Sequence, residues 1–287
     1  MALLVVLLAG CATVHRGGTY SEGIPGPTLT AEQQARVDHS CFGGVPRKTS
    51  RDLGPTEYIF RQGYVLEFSS LARIPLWVCE TVTPAQLGGP YHREGRFAPD
   101  PDLKGPRSES SDYTNSGYDR GHQAPAGDET QDRQENIESF YMSNIAPQTR
   151  TLNEGIWEKL EQDVRRWAGE CGQVYVFTGP VFFDPSSGEP VPSALDHPAQ
   201  VIGRDGVAVP THFYKIVLAQ DRSGGTPGEW RAIAFVLPNA DYRRPYRPED
   251  YRTTVSWIEA HIGIRFMPGM TGKERSRLEG GVSAMWP

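Results

Sequence analysis

Two short segments of the 287-residue sequence combine residue types that could together hydrolyse a phosphodiester. The first is Asp119-Arg120-Gly121-His122, which offers a cation and a histidine separated by a glycine. The second begins at Asn153, near the start of a predicted helix, and Glu161 follows two turns later. Hydrolysis of this ester needs a base for the attacking water and positive charge beside the phosphate. The two segments contain groups suited to both tasks.

The candidate roles follow from the chemistry of each side chain. His122 is the candidate general base, since an imidazole with a pKa of about 6.5 is mostly neutral at neutral pH. Asn153 is the candidate ligand for Mg²⁺, a cation that keeps several of its waters and suits a site with few protein ligands. Glu161 lies about 80° around and about 12 Å along a helix from Asn153, which favours contact through a metal-bound water. The structural alternatives are an N-cap role for Asn153 and a solvated helix face for Glu161.

Several motifs occur in an order that resembles the DNA/RNA non-specific endonucleases of the ββα-metal (His-Me finger) superfamily. The motifs are the Asp-Arg-Gly-His sequence at 119–122, Ser-Asn-Ile-x-Pro-Gln at 143–148 and Leu-Asn-x-Gly-x-Trp-x-x-Leu-Glu at 152–161, with weaker likeness over roughly 63–266. The resemblance implies an endonuclease with one bound Mg²⁺, for which Mn²⁺ could substitute. It also implies products that carry 5′-phosphates.

Arginines near the first motif are candidates for contacts to the substrate phosphate. Arg120 can offer a fork of hydrogen-bond donors to a phosphate oxygen, and the resemblance gives it that role. Arg96 resembles the second phosphate-binding arginine of the family, and Arg93 is a rival because the spacing differs. Both lie in a Pro/Gly-rich loop, 83–117, of a length typical of functional loops. The expected supporting residues are Asp119, Gly121 and Asn144.

The apolar pattern predicts a mixed α+β domain. Strands are predicted at Tyr64–Phe68 and Leu76–Glu80, and helices at Asn153–Ala168 and Pro248–Ile262. Further β-rich apolar runs occur at 174–183, 213–219 and 230–237. The absence of a regular βαβ alternation favours α+β over a doubly wound fold. The family resemblance implies a central antiparallel sheet flanked by helices, with the site on a ββα-metal element.

The N-terminus has the pattern of an export signal. Residues 1–10 form an apolar run that is shorter than the roughly 20 residues of a membrane-spanning helix. Together with Cys11 the run resembles a bacterial lipobox. It predicts a lipoprotein signal peptide, a lipidated Cys11 and an exported protein anchored in the cell envelope, on the outer membrane where one exists. A plain secretory peptide or a buried strand is the alternative. Residues 11–36 are predicted to be a flexible tether and residues 37–287 the endonuclease domain.

The remaining cysteines leave two interpretations open. An exported chain could pair Cys41 with Cys79, since both precede the catalytic segments, which would leave Cys171 unpaired. Alternatively, all three are buried thiols.

Charge gives a weaker indication of the partner. The net charge of −6 is not typical of a nucleic-acid-binding protein, so a local basic patch would have to bind the substrate. One arginine set brackets the first motif, and a second cluster lies at Arg243, Arg244 and Arg247. A solvated surface is the alternative interpretation of that second cluster.

The preferred interpretation is a nuclease that acts on both DNA and RNA. A water nucleophile does not require the ribose 2′-OH, and contacts to phosphate carry no base information. One alternative is a phosphodiesterase that acts on smaller substrates. Another is a non-catalytic surface lipoprotein, which would be expected to lack His122 or Asn153, and both are present. An inhibitor protein is a further partner class that the sequence leaves unidentified.

Overall fold

The structure, a computed structural model, describes residues 24–49, 53–184, 198, 200–221 and 228–287. The predicted signal peptide, 1–10, and the predicted lipidation site Cys11 lie outside these residues. Within the described ranges, no helix is both long and apolar enough to cross a membrane.

Helices and strands alternate irregularly along the described chain. The helices are α1 (Ala31–Ser40), α2 (Arg133–Glu138), α3 (Glu158–Cys171), α4 (Val255–Ile262) and α5 (Gly272–Gly280). The strands of the first half are β1 (Arg47–Lys48), β2 (Thr56–Phe60), β3 (Tyr64–Ser69), β4 (Ile74–Val82), β5 (Asp119–His122) and β6 (Ile145–Gln148). The strands of the second half are β7 (Val174–Val181), β8 (Val201–Ile202), β9 (Val207–Ala208), β10 (His212–Gln220), β11 (Trp230–Pro238), β12 (Arg252–Thr253) and β13 (Ile264–Arg265).

A seven-stranded antiparallel sheet with the order β12-β11-β10-β7-β4-β3-β2 forms the centre of the molecule. Every residue of β3 and of β4 is buried, which agrees with strands covered on both faces. Helix α1 contacts β3 and β4, α3 contacts β4, β7 and β10, and α4 and α5 contact β11. The prediction of an α+β fold with a central antiparallel sheet flanked by helices is therefore confirmed.

The predicted ββα element is also present. Strands β5 and β6 pair antiparallel, with Asp119 opposite Gln148 and Gly121 opposite Ala146, and the chain then continues towards α3. A Cβ atom on Gly121 would lie 2.2 Å from Oε1 of Gln148. Glycine at this position therefore lets the Gln148 side chain lie against the β5 backbone, as the sequence interpretation expected.

The helix that follows β6 begins later than the sequence pattern predicts. The segment Leu152–Trp157, here named the kinked segment, has wide helical turns, and Gly155 within it has non-helical dihedrals of φ −130° and ψ −105°. The regular helix α3 starts at Glu158 and buries one apolar face against the sheet. It ends before Gly172, whose φ of 77° suits a left-handed cap. The predicted helix Asn153–Ala168 is thus divided at Trp157.

Two further boundaries differ from the predictions. The predicted tether, 11–36, extends too far, because Thr30 and Gln33 form a reciprocal capping box that starts α1 at Ala31. The predicted closing helix, Pro248–Ile262, is divided into a short 3-10 turn at Pro248–Tyr251, strand β12 and helix α4.

A disulfide joins Cys41, at the end of α1, to Cys79 in β4, with 5.2 Å between their Cα atoms. Cys171 is a buried free thiol. The structure therefore agrees with the interpretation that Cys41 and Cys79 are paired. Their disulfide links α1 to the central sheet.

Replacing both cysteines, Cys41→Ser with Cys79→Ser, is expected to lower the free energy of unfolding by about 2–4 kcal/mol, because the unfolded chain loses a cross-link. That cross-link spans a sequence separation of 38 residues. Urea denaturation without reductant measures the difference. Dithiothreitol should destabilise the wild type by a similar amount and leave the double variant unchanged. A fully reduced wild type with undiminished stability would contradict this account.

Candidate active site

A cleft of about 480 Å³ lies where β5, the kinked segment and α3 meet. Five of the predicted site residues line it: Asp119, Arg120, His122, Asn153 and Glu161. Arg93 also lines the cleft, whereas Arg96 is exposed and is not part of its lining. Of the two rival arginines, Arg93 is the one that lies at the cleft, and the phosphate-binding role of either residue stays a prediction. The loop geometry that decides between them is not encoded in the local spacing.

His122 is held between aromatic rings. Its ring centroid lies 5.4 Å from that of Phe97 and 4.9 Å from that of Phe140, the latter in an edge-to-face arrangement. Nε2 is shielded from solvent and has no hydrogen-bond partner among the described residues. Burial, assisted by the positive charge of Arg93, lowers the pKa of His122 to about 4. The imidazole is consequently neutral at pH 7 and able to accept a proton.

A hydrogen bond fixes the orientation of the Asn153 amide. Its Nδ2 donates to Oδ2 of Asp119 at 3.1 Å. Because a carboxylate only accepts, the amide nitrogen must face Asp119, and Oδ1 is left as the available acceptor. The backbone N–H of Asn153 donates to the carbonyl of Thr149 at 2.9 Å. Asn153 therefore lies within the first turn and does not act as the predicted N-cap alternative.

The long loop before β5 positions Arg120. Nε of Arg120 donates to Oγ of Ser110 at 3.0 Å, and Nη2 donates to the carbonyl of Ser110 at 2.5 Å. The guanidinium also lies 5.5 Å from the ring centroid of Phe97. These contacts hold the cation in one orientation at the cleft. The loop 83–117 thus contributes directly to the site, as its length predicted.

Glu161 belongs to a charged cluster beneath the cleft. Arg165 lies one turn further along α3, with Nη2 3.7 Å from Oε2 of Glu161 and Nε 2.5 Å from Oδ1 of Asp128. Burial raises the pKa of Glu161 to about 7, while the charges of Lys215 and Arg165 oppose that rise. The predicted alternative of a solvated glutamate does not hold, because the Glu161 side chain is only 13% exposed.

Arg165 and Lys215 are residues that the sequence interpretation did not select. Arg165 could have been found from its i,i+4 spacing to Glu161, which places both side chains on one helix face. Lys215 gives no such signal, since it lies in β10 among apolar neighbours. In the structure it is 1% exposed and donates to Oγ1 of Thr178 at 2.8 Å.

Asn144 holds the chain that leads away from His122. Its Nδ2 donates to the carbonyls of Ala124 and Ser139 at 2.8 and 2.9 Å, and its Oδ1 accepts from the N–H of Ala124 at 2.9 Å. The side chain is fully buried. Asn144 therefore satisfies three backbone groups without lining the cleft, which is the supporting position that the sequence interpretation gave it.

The oxygen donors at the cleft fit a hard divalent cation. They are the amide oxygen of Asn153 and the carboxylates of Glu161 and Asp119, and Mg²⁺ prefers oxygen ligands while it retains several waters. The described residues contain no group of three or more His, Cys, Asp or Glu placed to hold a metal ion. A metal ion held by a single amide oxygen would not require such a group, because asparagine is not one of these four residue types.

NMR titration of the imidazole resonances is expected to give His122 a pKa of about 4 in the folded protein. This is below the unfolded value of about 6.5. The neutral ring therefore contributes stability that is present above about pH 6.5 and is lost as the pH falls towards 4. Arg93→Gln should raise the pKa by removing a like charge, and Arg96→Gln, outside the cleft, is the control. A pKa of 6.5 or more in the folded wild type would show that burial does not govern this ring.

Comparison with known proteins is consistent with this geometry. The family model for DNA/RNA non-specific endonucleases matches residues 47–272. The mitochondrial nuclease EXOG of Danio rerio is 33% identical over 251 residues, which cover 86% of this chain and 71% of that protein. Mitochondrial endonuclease G of Homo sapiens is 34% identical over 218 residues, covering 75% and 71%. The crystal structure of the EndoG/EndoGI complex, which concerns EndoG inhibition, has a TM-score of 0.71 at 27% identity and covers 88% of this chain and 96% of that chain.

The predicted localisation is wrong. The apolar run at 1–10 and Cys11 predicted an exported, lipid-anchored envelope protein, whereas these relatives are mitochondrial nucleases. The physical reason is the low specificity of the pattern, because a short apolar run occurs in several kinds of N-terminal segment. A cysteine after such a run does not by itself identify a lipid acceptor.

The fold, the cleft and the comparisons agree with one another. The family match includes both segments that line the cleft, and the relatives exceed 30% identity over most of this chain. The chain belongs to the DNA/RNA non-specific endonuclease family and is a nuclease.

Proposed function

We propose that this nuclease is a Mg²⁺-dependent endonuclease that hydrolyses both DNA and RNA with little sequence preference. The observation that carries the proposal is the convergence of His122, Arg120 and Asn153 around one cleft. These side chains supply a neutral base, an oriented cation and an oxygen ligand. They come from segments about 30 positions apart in sequence, brought together by the pairing of β5 with β6.

In this proposal His122 removes a proton from the attacking water. Phe97 and Phe140 pack against the ring and shield part of it from solvent, which favours the neutral form in the free protein. A bound phosphodiester brings negative charge close to the ring, which favours the imidazolium and raises the pKa of His122. Binding of substrate therefore moves the base towards the pKa range in which proton transfer at neutral pH is efficient.

Arg120 and Arg93 stabilise negative charge on the phosphate. Nε and Nη2 of Arg120 already donate to Ser110, and Nη1 makes no hydrogen bond to a described residue. That nitrogen is free to donate to a phosphate oxygen as charge develops. Arg93, in the loop 83–117, adds a second positive charge to the lining of the cleft.

Asn153 would hold the metal ion through Oδ1, with Mn²⁺ as a substitute for Mg²⁺, and Glu161 would contact it through a bound water. Asp119 orients the amide for this purpose. When bound, the ion supplies positive charge that stabilises the reacting phosphate and the leaving oxygen. The raised pKa of Glu161 reflects a buried carboxyl that a nearby cation would favour in its charged form.

Breadth of substrate follows from the kinds of contact available. The proposed contacts are directed at phosphate, which carries no base information, and water as nucleophile makes the 2′-OH unnecessary. DNA and RNA, single- or double-stranded, are therefore both expected substrates. The family resemblance implies 5′-phosphate ends. Activity is expected to fall as salt rises, because the binding is mainly electrostatic.

Replacing the base should reduce turnover on both nucleic acids alike. His122→Ala is expected to lower kcat by about 10²–10⁴ on plasmid DNA and on RNA, with an unchanged circular dichroism spectrum. His92→Ala is the matched control, because His92 also lines the cleft but lies exposed at its edge. Near wild-type turnover in folded His122→Ala would remove this residue from the role. Cleavage confined to RNA, with cyclic phosphate products, would overturn the water mechanism.

Replacing Asn153 should reduce activity more than replacing Glu161. Asn153→Ala is expected to abolish nearly all cleavage and to weaken the dependence on Mg²⁺, and Glu161→Gln should be milder, since its contact is indirect. The control is Glu154→Gln, because Glu154 lines the same cleft but pairs with Arg150 at the surface. EDTA should stop the wild-type reaction, and added Mg²⁺ or Mn²⁺ should restore it.

Two outcomes would count against this assignment of the metal. Undiminished activity in excess EDTA, in buffers verified to be metal-free, would exclude the metal requirement. Equal losses in Asn153→Ala and Glu161→Gln would remove the distinction between direct and water-mediated contact.

A further inference from the structure

The loop that follows β11, Asn239–Arg247, here named the arginine loop, is fastened to the chain around the start of the kinked segment. The backbone N–H of Thr149 donates to Oδ1 of Asn239 at 2.8 Å. The backbone N–H of Tyr242 donates to Oγ1 of Thr151 at 3.0 Å. The loop therefore has a fixed place beside the catalytic cleft.

A second contact joins the arginine loop to the middle of the kinked segment. A Cβ atom on Gly155 would lie 2.9 Å from Cζ and Oη of Tyr246, so the tyrosine ring lies directly against the glycine backbone. The guanidinium of Arg244 lies 5.6 Å from the centroid of the same ring. Tyr246 thus connects Arg244 to a backbone position only two residues from Asn153.

A groove of about 290 Å³ lies between the arginine loop and the kinked segment. Ile156 lines this groove, whereas Asn153 and Glu154 line the catalytic cleft. Asn153 and Ile156 are three positions apart, so at most about 11 Å separates their Cα atoms. The cleft and the groove are consequently neighbours, each lined in part by residues of the kinked segment.

The charges on the arginine loop are not all balanced. Arg247 pairs with Glu249 at 3.4 Å and with Asp250 at 3.1 Å. Arg243 and Arg244 are exposed, and neither forms an ion pair with a described residue. Arg243 lines the groove and Arg244 follows it in the loop, so both positive charges are available to an anion there. Asp241 also lines the groove, and its Oδ1 accepts from Oγ1 of Thr151 at 3.0 Å.

We propose that Arg243 and Arg244 form a second phosphate-binding subsite, which holds the backbone of the substrate polynucleotide next to the bond that is cleaved. The inference rests on the proposed function, because it places a longer substrate across the cleft. Because the cleft and the groove are adjacent, one polynucleotide strand could contact both, which makes a polynucleotide the fitting ligand. A substrate too short to leave the cleft gains nothing from this subsite.

The first test measures the salt dependence of binding. In the His122→Ala background, the dissociation constant for a labelled DNA duplex is measured by fluorescence anisotropy over a range of KCl. Each phosphate contact contributes about 0.9 to the slope of log K against log salt. Arg243→Gln with Arg244→Gln should therefore reduce the magnitude of the slope by about 1.8.

A matched control removes two other charges. Lys273 and Arg277 are exposed on α5 and line neither the cleft nor the groove. Lys273→Gln with Arg277→Gln should leave the slope at its wild-type value. An unchanged slope in the Arg243/Arg244 double variant, or an equal reduction in the control, would overturn the subsite.

The second test separates the subsite from the catalytic cleft. With His122 intact, the Arg243/Arg244 double variant should have a higher KM for long DNA and an unchanged kcat/KM for bis(4-nitrophenyl) phosphate, which is too small to reach the loop. Equal losses on both substrates would place these arginines in the cleft and contradict the proposal. A wild type that cleaves neither DNA nor RNA would instead refute the proposed function itself.

Discussion

The antiparallel pairing of β5 with β6 is the constraint on which the whole site depends. It sets Asp119 opposite Gln148 and delivers the following chain to the point where Asn153 donates to Asp119. A shift of one residue in this register would turn His122 and its neighbours to the other face. Gly121 is compatible with this pairing because a larger side chain there would overlap the side chain of Gln148. The relative positions of His122 and Asn153 therefore depend on the strand pair.

Burial shifts the pKa values of two groups of the cleft, His122 and Glu161. Loss of water lowers the pKa of His122 and raises that of Glu161, since in both cases the charged form is disfavoured. The histidine is thereby kept as an unprotonated acceptor. The pKa of Glu161 is raised to about 7, so a cation bound nearby would favour the ionised carboxylate at neutral pH. Burial thus favours a neutral imidazole at His122 and a readily protonated carboxyl at Glu161.

The sequence predicts those features that short spacings encode. The strands around Leu66 and Val78 and the α+β class were predicted from apolar patterns, which are local signals. The ββα element was predicted only through the family resemblance that the ordered motifs carry. The kink at Gly155 was not predicted, since Tyr246 packs there from a distant loop.

The choice between Arg93 and Arg96 and the pairing of Arg165 with Asp128 also lay beyond the sequence. Both depend on how long loops fold back over the sheet, and no periodic pattern records that path. The localisation prediction from the apolar run at 1–10 was wrong for a different reason. Such a run is a local signal, but several kinds of N-terminal segment share it. Asp128 carries one further consequence. It is 2% exposed and is paired with Arg165, and loss of one member of such a pair costs about 3–5 kcal/mol, whereas joint replacement by apolar residues can be neutral. During sequence divergence these two positions are therefore expected to change together, as a linked pair of mutations.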